Sequence, residues 1–203
     1  MKKRLLSLKL TLSGIFAGAI AVLSPTLSLA RDSQMHFRVG TLNGSYDGTF
    51  EGDFEVSNTF DLEYEAFVSN TGSVAFRFIQ ALATPSSKPF YTYAGSGFRY
   101  YFFSKGVFTE QSGNGFSYSA SPKFRFYGGV DVGISQVIVK TFGANVQSVA
   151  NMSDAGVNLG AIYQVLGRLG VEAHVGATWG YGISSTPTNG NTQRFFLGAS
   201  YYF

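Results

Sequence analysis

Polar and apolar positions alternate along most of the chain from residue 35 onward. In the final run, Phe195, Leu197, Ala199, Tyr201 and Phe203 share one parity and Arg194, Phe196, Gly198, Ser200 and Tyr202 the other. A repeat of two puts such sets on opposite faces of a strand, here one wholly apolar and one mixed. The same rhythm predicts strands near residues 35–46, 60–68, 74–79, 90–103, 124–140, 154–165 and 169–181. The second is the plainest of the early ones: Phe60, Leu62, Tyr64, Ala66 and Val68 alternate with Asp61, Glu63, Glu65 and Phe67. Three carboxylates on one face cannot lie unpaired in a dry interior, so that face must meet water or cations.

Turn chemistry divides these runs. Ser69-Asn70-Thr71-Gly72 and Leu166-Gly167-Arg168 read as tight turns. Longer connections are expected at an acidic loop over 47–55, at 84–89 with its two prolines, at 141–152 and at 183–191. Residues 104–123, rich in Ser and Gly, form the awkward connection, with room for a short extra hairpin around Asn114-Gly115.

Counted together, the runs predict an all-β fold of about eight strands, each with one apolar face. The first residues, Met1-Lys2-Lys3-Arg4, lead into an apolar stretch and then Ser28-Leu29-Ala30, the three parts of a secretory signal peptide. Residues 1–30 are therefore expected to be removed, leaving 31–203 as one barrel domain; a membrane anchor helix is disfavoured by the short apolar core and by Pro25. Four of the 15 basic residues lie in that leader, so the remainder has one more acidic than basic residue, and nothing favours a nucleic-acid partner. No later segment approaches the roughly 20 apolar residues of a spanning helix. If the mature chain enters a membrane, it does so as a closed barrel. Aromatic residues at 16%, 25 glycines and only 13% charge fit that reading better than a soluble domain. The expected fold is a transmembrane, antiparallel, up-and-down β-barrel.

In such a barrel the apolar parity faces lipid and the other faces the lumen. The inward set then holds Arg38, Arg77, Arg99, Arg125 and Arg194 together with Asp61, Glu63, Glu65, Asp131 and Glu172, five of each sign. An eight-stranded barrel is just wide enough for its side chains to fill it. Isolated charges there would be very costly, which predicts an ion-pair network plugging the lumen, not an open diffusion pore; a gate for small solutes is the alternative use of the same pairs.

Little catalytic chemistry stands out. His174 has inward parity two residues from Glu172, and is expected to be a hydrogen-bonded lumenal residue. His36 begins the first strand and is followed by Arg38. Asp47, Glu51, Asp53 and Glu55 do not have the spacing of an EF-hand and read as a solvated loop. With no cysteine, disulfides and thiolate zinc sites are excluded. No cofactor or metal is expected. Trp179, Tyr181 and the aromatics at 100–103 suit interfacial girdles.

The closing run, Arg194 to Phe203, resembles the C-terminal strand of bacterial outer-membrane barrels. The run Phe124-Arg125-Phe126-Tyr127-Gly128-Gly129-Val130-Asp131-Val132-Gly133 resembles a strand of OmpW-like proteins. Over residues 35–203 the pattern is similar to small barrels of the OmpW, OmpX and OmpA-membrane-domain type. That resemblance implies an integral outer-membrane location amid outer-membrane lipid and lipopolysaccharide. It also implies a C-terminal assembly signal at Tyr201 and Phe203 read by the barrel-assembly machinery. The lipid A deacylase barrels carry a His-x-Ser motif, whereas His174 is followed at that spacing by Gly176. The expected function is therefore a non-enzymatic barrel, a monomer serving envelope structure or small-solute passage through a largely plugged lumen. The alternatives are a surface-interaction barrel using loops 47–55, 141–152 and 183–191, a lipid-modifying enzyme, and a soluble lipocalin-like carrier with the faces reversed. The long 104–123 connection departs from the resembled family, as do loops shorter than those of adhesive barrels.

Protein solubilised from an outer-membrane fraction is expected to migrate faster in a detergent gel before boiling than after; recovery as soluble periplasmic protein would contradict the architecture.

Overall fold

In a computed structural model, the described residues are 32–48, 52–81, 90–103, 105–106, 109–113, 116–120, 122–140, 147–183 and 188–203. They form ten strands: β1 (Ser33–Gly48), β2 (Gly52–Phe67), β3 (Gly72–Ala81), β4 (Phe90–Phe102), β5 (Thr109–Gly113), β6 (Phe116–Ala120), β7 (Phe124–Lys140), β8 (Gln147–Leu166), β9 (Leu169–Gly182) and β10 (Thr188–Tyr202). Eight of them close an antiparallel barrel in the order β1-β10-β9-β8-β7-β4-β3-β2, while β5 and β6 pair separately as a hairpin. Every neighbour in the barrel is the next barrel strand in sequence except at the seam, where β1 meets β10. There Phe37 lies opposite Ala199 and Val39 opposite Leu197.

Alternation decides which way each side chain points. Phe37, Val39, Phe98, Val130, Val132, Leu159, Val175, Leu197, Tyr201 and Phe203 are each about half exposed on the outer wall, whereas Arg38, Arg99, Arg125 and Glu63 are buried within. A soluble monomer rarely carries a continuous apolar patch beyond a few hundred Å², and here apolar side chains circle the barrel. This is the inverse of a lipocalin-like carrier. Strands of about 9–11 residues suffice to cross a bilayer, so the 17 residues of β7 and 20 of β8 extend past it, whereas β3 has 10.

Three expected loops are shorter than the sequence suggested. Asp47 belongs to β1, and Asp53 and Glu55 to β2, so the acidic stretch is largely strand; Glu51 lies outside the described residues. Gln147–Met152 extends β8, and Thr188–Asn191 extends β10. The cause on β2 is a register shift: Gly40 pairs with Thr59 and Leu42 with Val56, so β2 carries one extra residue at Ser57-Asn58. A bulge of this kind resets the parity. Phe54 and Val56 therefore point inward along with Asp61 and Glu63, and the alternation appears broken before residue 59.

The tight turns follow their chemistry. The Ser69 hydroxyl accepts from the amide of Gly72 at 2.8 Å, and Gly167 between β8 and β9 has φ +48°, which glycine adopts without strain. The 104–123 connection does contain a hairpin, Gly113 pairing with Phe116, and residues 114–115 at its tip lie outside the described residues. Just before it, Gly106 packs on Phe67 and Tyr101 at the end of the barrel where β1 begins and β10 ends, its amide donating to the Asn70 carbonyl at 2.8 Å.

A side chain at Gly160 would overlap the ring of Tyr127, which lies flat along β8. Gly160→Val is expected to lower unfolding free energy by about 1–3 kcal/mol through overpacking, measured by denaturant titration in lipid vesicles; an unchanged midpoint would contradict this packing.

Candidate functional site

The lumen is stratified, and β2 alone displays the order: Phe54 and Val56, then Asp61, Glu63 and Glu65, then Phe67. Around the barrel, Leu42, Tyr46, Phe54, Ile79, Tyr91 and Met152 contribute to an apolar and aromatic cluster towards the end where β1 finishes and β10 begins. Phe67, Tyr101, Tyr127, Ile162 and Tyr202 make a second cluster at the opposite end, where β1 begins and β10 finishes. Between them lies an ionic layer.

Its centre is Glu63 on β2. One carboxylate oxygen, Oε2, receives Arg99 from β4, Arg77 from β3 at 2.8 Å and Arg38 from β1 at 3.4 Å. Asp61 takes Arg38 at 2.5 Å and Arg77 at 3.3 Å. Across the lumen, Asp131 on β7 accepts from Arg77 at 3.0 Å, Arg194 at 2.7 Å and the Asn158 amide at 2.9 Å. Glu172 on β9 takes Arg38 at 3.0 Å and the Tyr127 hydroxyl. Glu65 accepts from the hydroxyls of Tyr101, at 2.8 Å, and Ser73. Arg99 also stacks over the Tyr127 ring, 4.2 Å from its centroid. Several strands thus share each carboxylate, and the layer ties the wall together from within.

The two histidines have opposite roles. His36 sets Nδ1 2.6 Å from Glu172 and Nε2 2.8 Å from Glu65. With both carboxylates ionised they only accept, so both nitrogens donate and the ring carries a positive charge as an imidazolium. His174 instead has Nε2 2.9 Å from Arg77, which only donates. Its Nδ1–H then donates to Tyr127 at 2.8 Å, and Tyr127 donates onward to Glu172. With His36 counted, Arg38, Arg77, Arg99 and Arg194 supply five positive charges against Asp61, Glu63, Glu65, Asp131 and Glu172.

Of the residues singled out in the sequence, all eleven lumenal positions are buried: Arg38, Asp61, Glu63, Glu65, Arg77, Arg99, Arg125, Asp131, Glu172, His174 and Arg194. Ten come together in the layer. Arg125 sits apart, nearer the start of β1, donating to Gln34 at 3.0 Å, the Gly106 carbonyl at 2.8 Å and Gln164 at 3.3 Å. Tyr201 and Phe203 stand on the outer wall, ring centroids 5.2 Å apart. The sequence reading passed over His36 as a lumenal member, along with Tyr101 and Tyr127. Their inward parity was the available signal. His36, Glu63 and Glu65 also bring possible metal-ligand atoms within 4.8 Å of one another, but these atoms already serve the ion pairs, and a metal there would sit against Arg38, Arg77 and Arg99.

No family model and no curated protein matches the sequence. Among solved structures, the Neisserial surface protein A (NspA) superposes with a TM-score of 0.57 at 12% identity, covering 84% of this chain and 97% of that one. The outer-membrane protein OprG of Pseudomonas aeruginosa gives 0.53 at 10% identity, covering 86% and 96%. At these identities the likeness is one of fold: this chain is a small, eight-stranded β-barrel of the outer-membrane type.

Removing one partner of a buried ion pair typically costs about 3–5 kcal/mol. Glu63→Gln, which leaves three guanidiniums facing a neutral amide, is expected to lose that much unfolding free energy in lipid vesicles. Val130→Ala on the outer wall should lose about 1 kcal/mol, and equal losses would show that the layer contributes nothing special.

Proposed function

We propose that this protein is a non-enzymatic, integral outer-membrane barrel that serves as a sealed structural element of the envelope. The observation that carries this reading is the stratified lumen: an ionic layer with its charges matched, bounded by aromatic and apolar side chains on both sides. A permeating ion would have to separate Glu63 from three arginines and then pass the rings of Tyr101, Tyr127 and Tyr202. The same burial speaks against a lipid-modifying enzyme, since His174 faces the lumen and has 0% exposure, out of reach of a lipid at the wall. Tyr201 on the lipid side of β10, and Phe203 just after it on the same outer wall, support delivery by the barrel-assembly machinery through the last strand.

Reconstituted in a planar bilayer, the folded protein is expected to show no resolvable unitary conductance. Solute-dependent channel events that persist after further purification would replace the sealed barrel with a small-solute pathway.

A further inference from the structure

The outer wall changes character within a few residues along β1 and β10. On this face Phe37 and Val39 give way to Asn43, Ser45 and Asp47 on β1, and Leu197 and Phe195 give way to Gln193, Asn191 and Asn189 on β10. The register sets the polar residues into rows. Glu55 of β2 lies opposite Asn43, which lies opposite Gln193 and then Ala177 of β9. Asp53, Ser45, Asn191 and Trp179 form the next row in the same strand order, and Asp47, Asn189 and Tyr181 the third. Each row thus runs from a carboxylate through hydroxyl or amide groups to β9, where Trp179 is 50% and Tyr181 67% exposed.

These rows are grooved. A cleft of about 450 Å³ lies between Asn43, Ser45, Glu55, Asn191 and Gln193. It adjoins one of about 540 Å³ between Asp53, Asn191, Trp179 and Tyr181. A third, of about 450 Å³, starts from Asn43 and Gln193 and continues between the apolar Phe195, Val175, Val157 and Leu159. The Ser45 hydroxyl donates to the Asn191 side-chain oxygen at 3.0 Å, which leaves the Asn191 amide nitrogen as a donor to the cleft. An aromatic girdle would account for Trp179 and Tyr181. It does not account for clefts that join them to amides and carboxylates on three neighbouring strands and to an apolar groove.

We propose that this patch binds the sugar headgroup of a neutral glycolipid in the adjoining leaflet, with the lipid's chain in the apolar groove. A sugar's rim carries hydroxyls that can donate to Asp53 and Glu55 and exchange hydrogen bonds with Asn43, Asn191 and Gln193. Its C–H faces suit the electron-rich faces of Trp179 and Tyr181. Charge narrows the choice: none of the row residues is basic, and Asp47, Asp53 and Glu55 are acidic, so a phosphorylated headgroup would be repelled. The apolar groove favours a membrane-resident molecule over a free saccharide. The patch lies on the outer wall and would bind in the same way whether or not the lumen is sealed.

Trp179 is the sole tryptophan of the chain, so its emission reports on the patch directly. The folded barrel is placed in phosphatidylcholine vesicles containing increasing fractions of a diglucosyl diacylglycerol. A saturable shift of Trp179 emission is expected. No such shift is expected when phosphatidylglycerol or a cationic lipid replaces the glycolipid, or with free maltose on both sides of the membrane. Asn191→Ala and Asp53→Ala stand at exposed positions where substitution costs little stability; each should raise the half-saturating glycolipid fraction about tenfold. No saturable shift, or one that both variants leave unchanged, would overturn the proposal. An equal shift with the charged lipids would replace it with attraction by charge, and an equal shift with maltose would replace the glycolipid with a soluble saccharide.

Discussion

Charge balance in a space too narrow for bulk water is the condition on which this barrel rests. Glu63 alone is shared by guanidiniums from β1, β3 and β4, and Asp131 by those from β3 and β10. A buried ion pair seldom stabilises a protein more than a well-packed apolar core of the same volume would. Its distinctive property is that it is intolerant of substitution and of displacement. The layer is thus better understood as a constraint on geometry than as a reservoir of stability. The apolar clusters on either side keep water out, which strengthens each pair and raises the cost of breaking one.

The two sides of the wall satisfy different solvents with a single repeat. Lipid accepts Val130, Leu159 and Leu197 without penalty, and backbone polar groups are satisfied by the closed ladder. Inside, the same alternation delivers Asp61, Glu63 and Glu65 at every second residue of β2, with Arg38 of β1 opposite Asp61 and Arg77 of β3 opposite Glu63. Glycine modulates the inner face: at Gly160 and Gly133 it makes room for the rings of Tyr127 and Tyr93 close against the wall.

Much of this was legible in the sequence because a period of two leaves little freedom once one face is apolar. The acids of β2 and the arginines of β3 and β4 could be assigned to the lumen by parity alone. What escaped was of two kinds. Tyr101 and Tyr127 are aromatic residues on the polar parity, and chemistry alone cannot distinguish a ring that faces lipid from one that accepts a cation or donates to Glu172. The extent of the strands escaped because the bulge at Ser57-Asn58 interrupts the alternation, so that Phe54 and Val56 seem out of phase with Asp61. His36 lost its place for a simpler reason: of its two partners, Glu65 lies 29 residues away on the neighbouring β2, but Glu172 is 136 residues away and is brought near only when the seam is closed.

That seam also has a consequence for assembly. His36 and Arg38 on β1 meet Glu172 on β9 only after β10 has been laid between them, with Arg38 opposite Gly198 and Gly198 opposite Glu172. A slip of one residue would turn Arg38 and His36 into the hydrocarbon and bring Phe37 and Val39 inside. The ionic layer therefore acts as a proofreading device: it rewards the correct alignment of the last strand with the first, and penalises its nearest competitor on both faces at once.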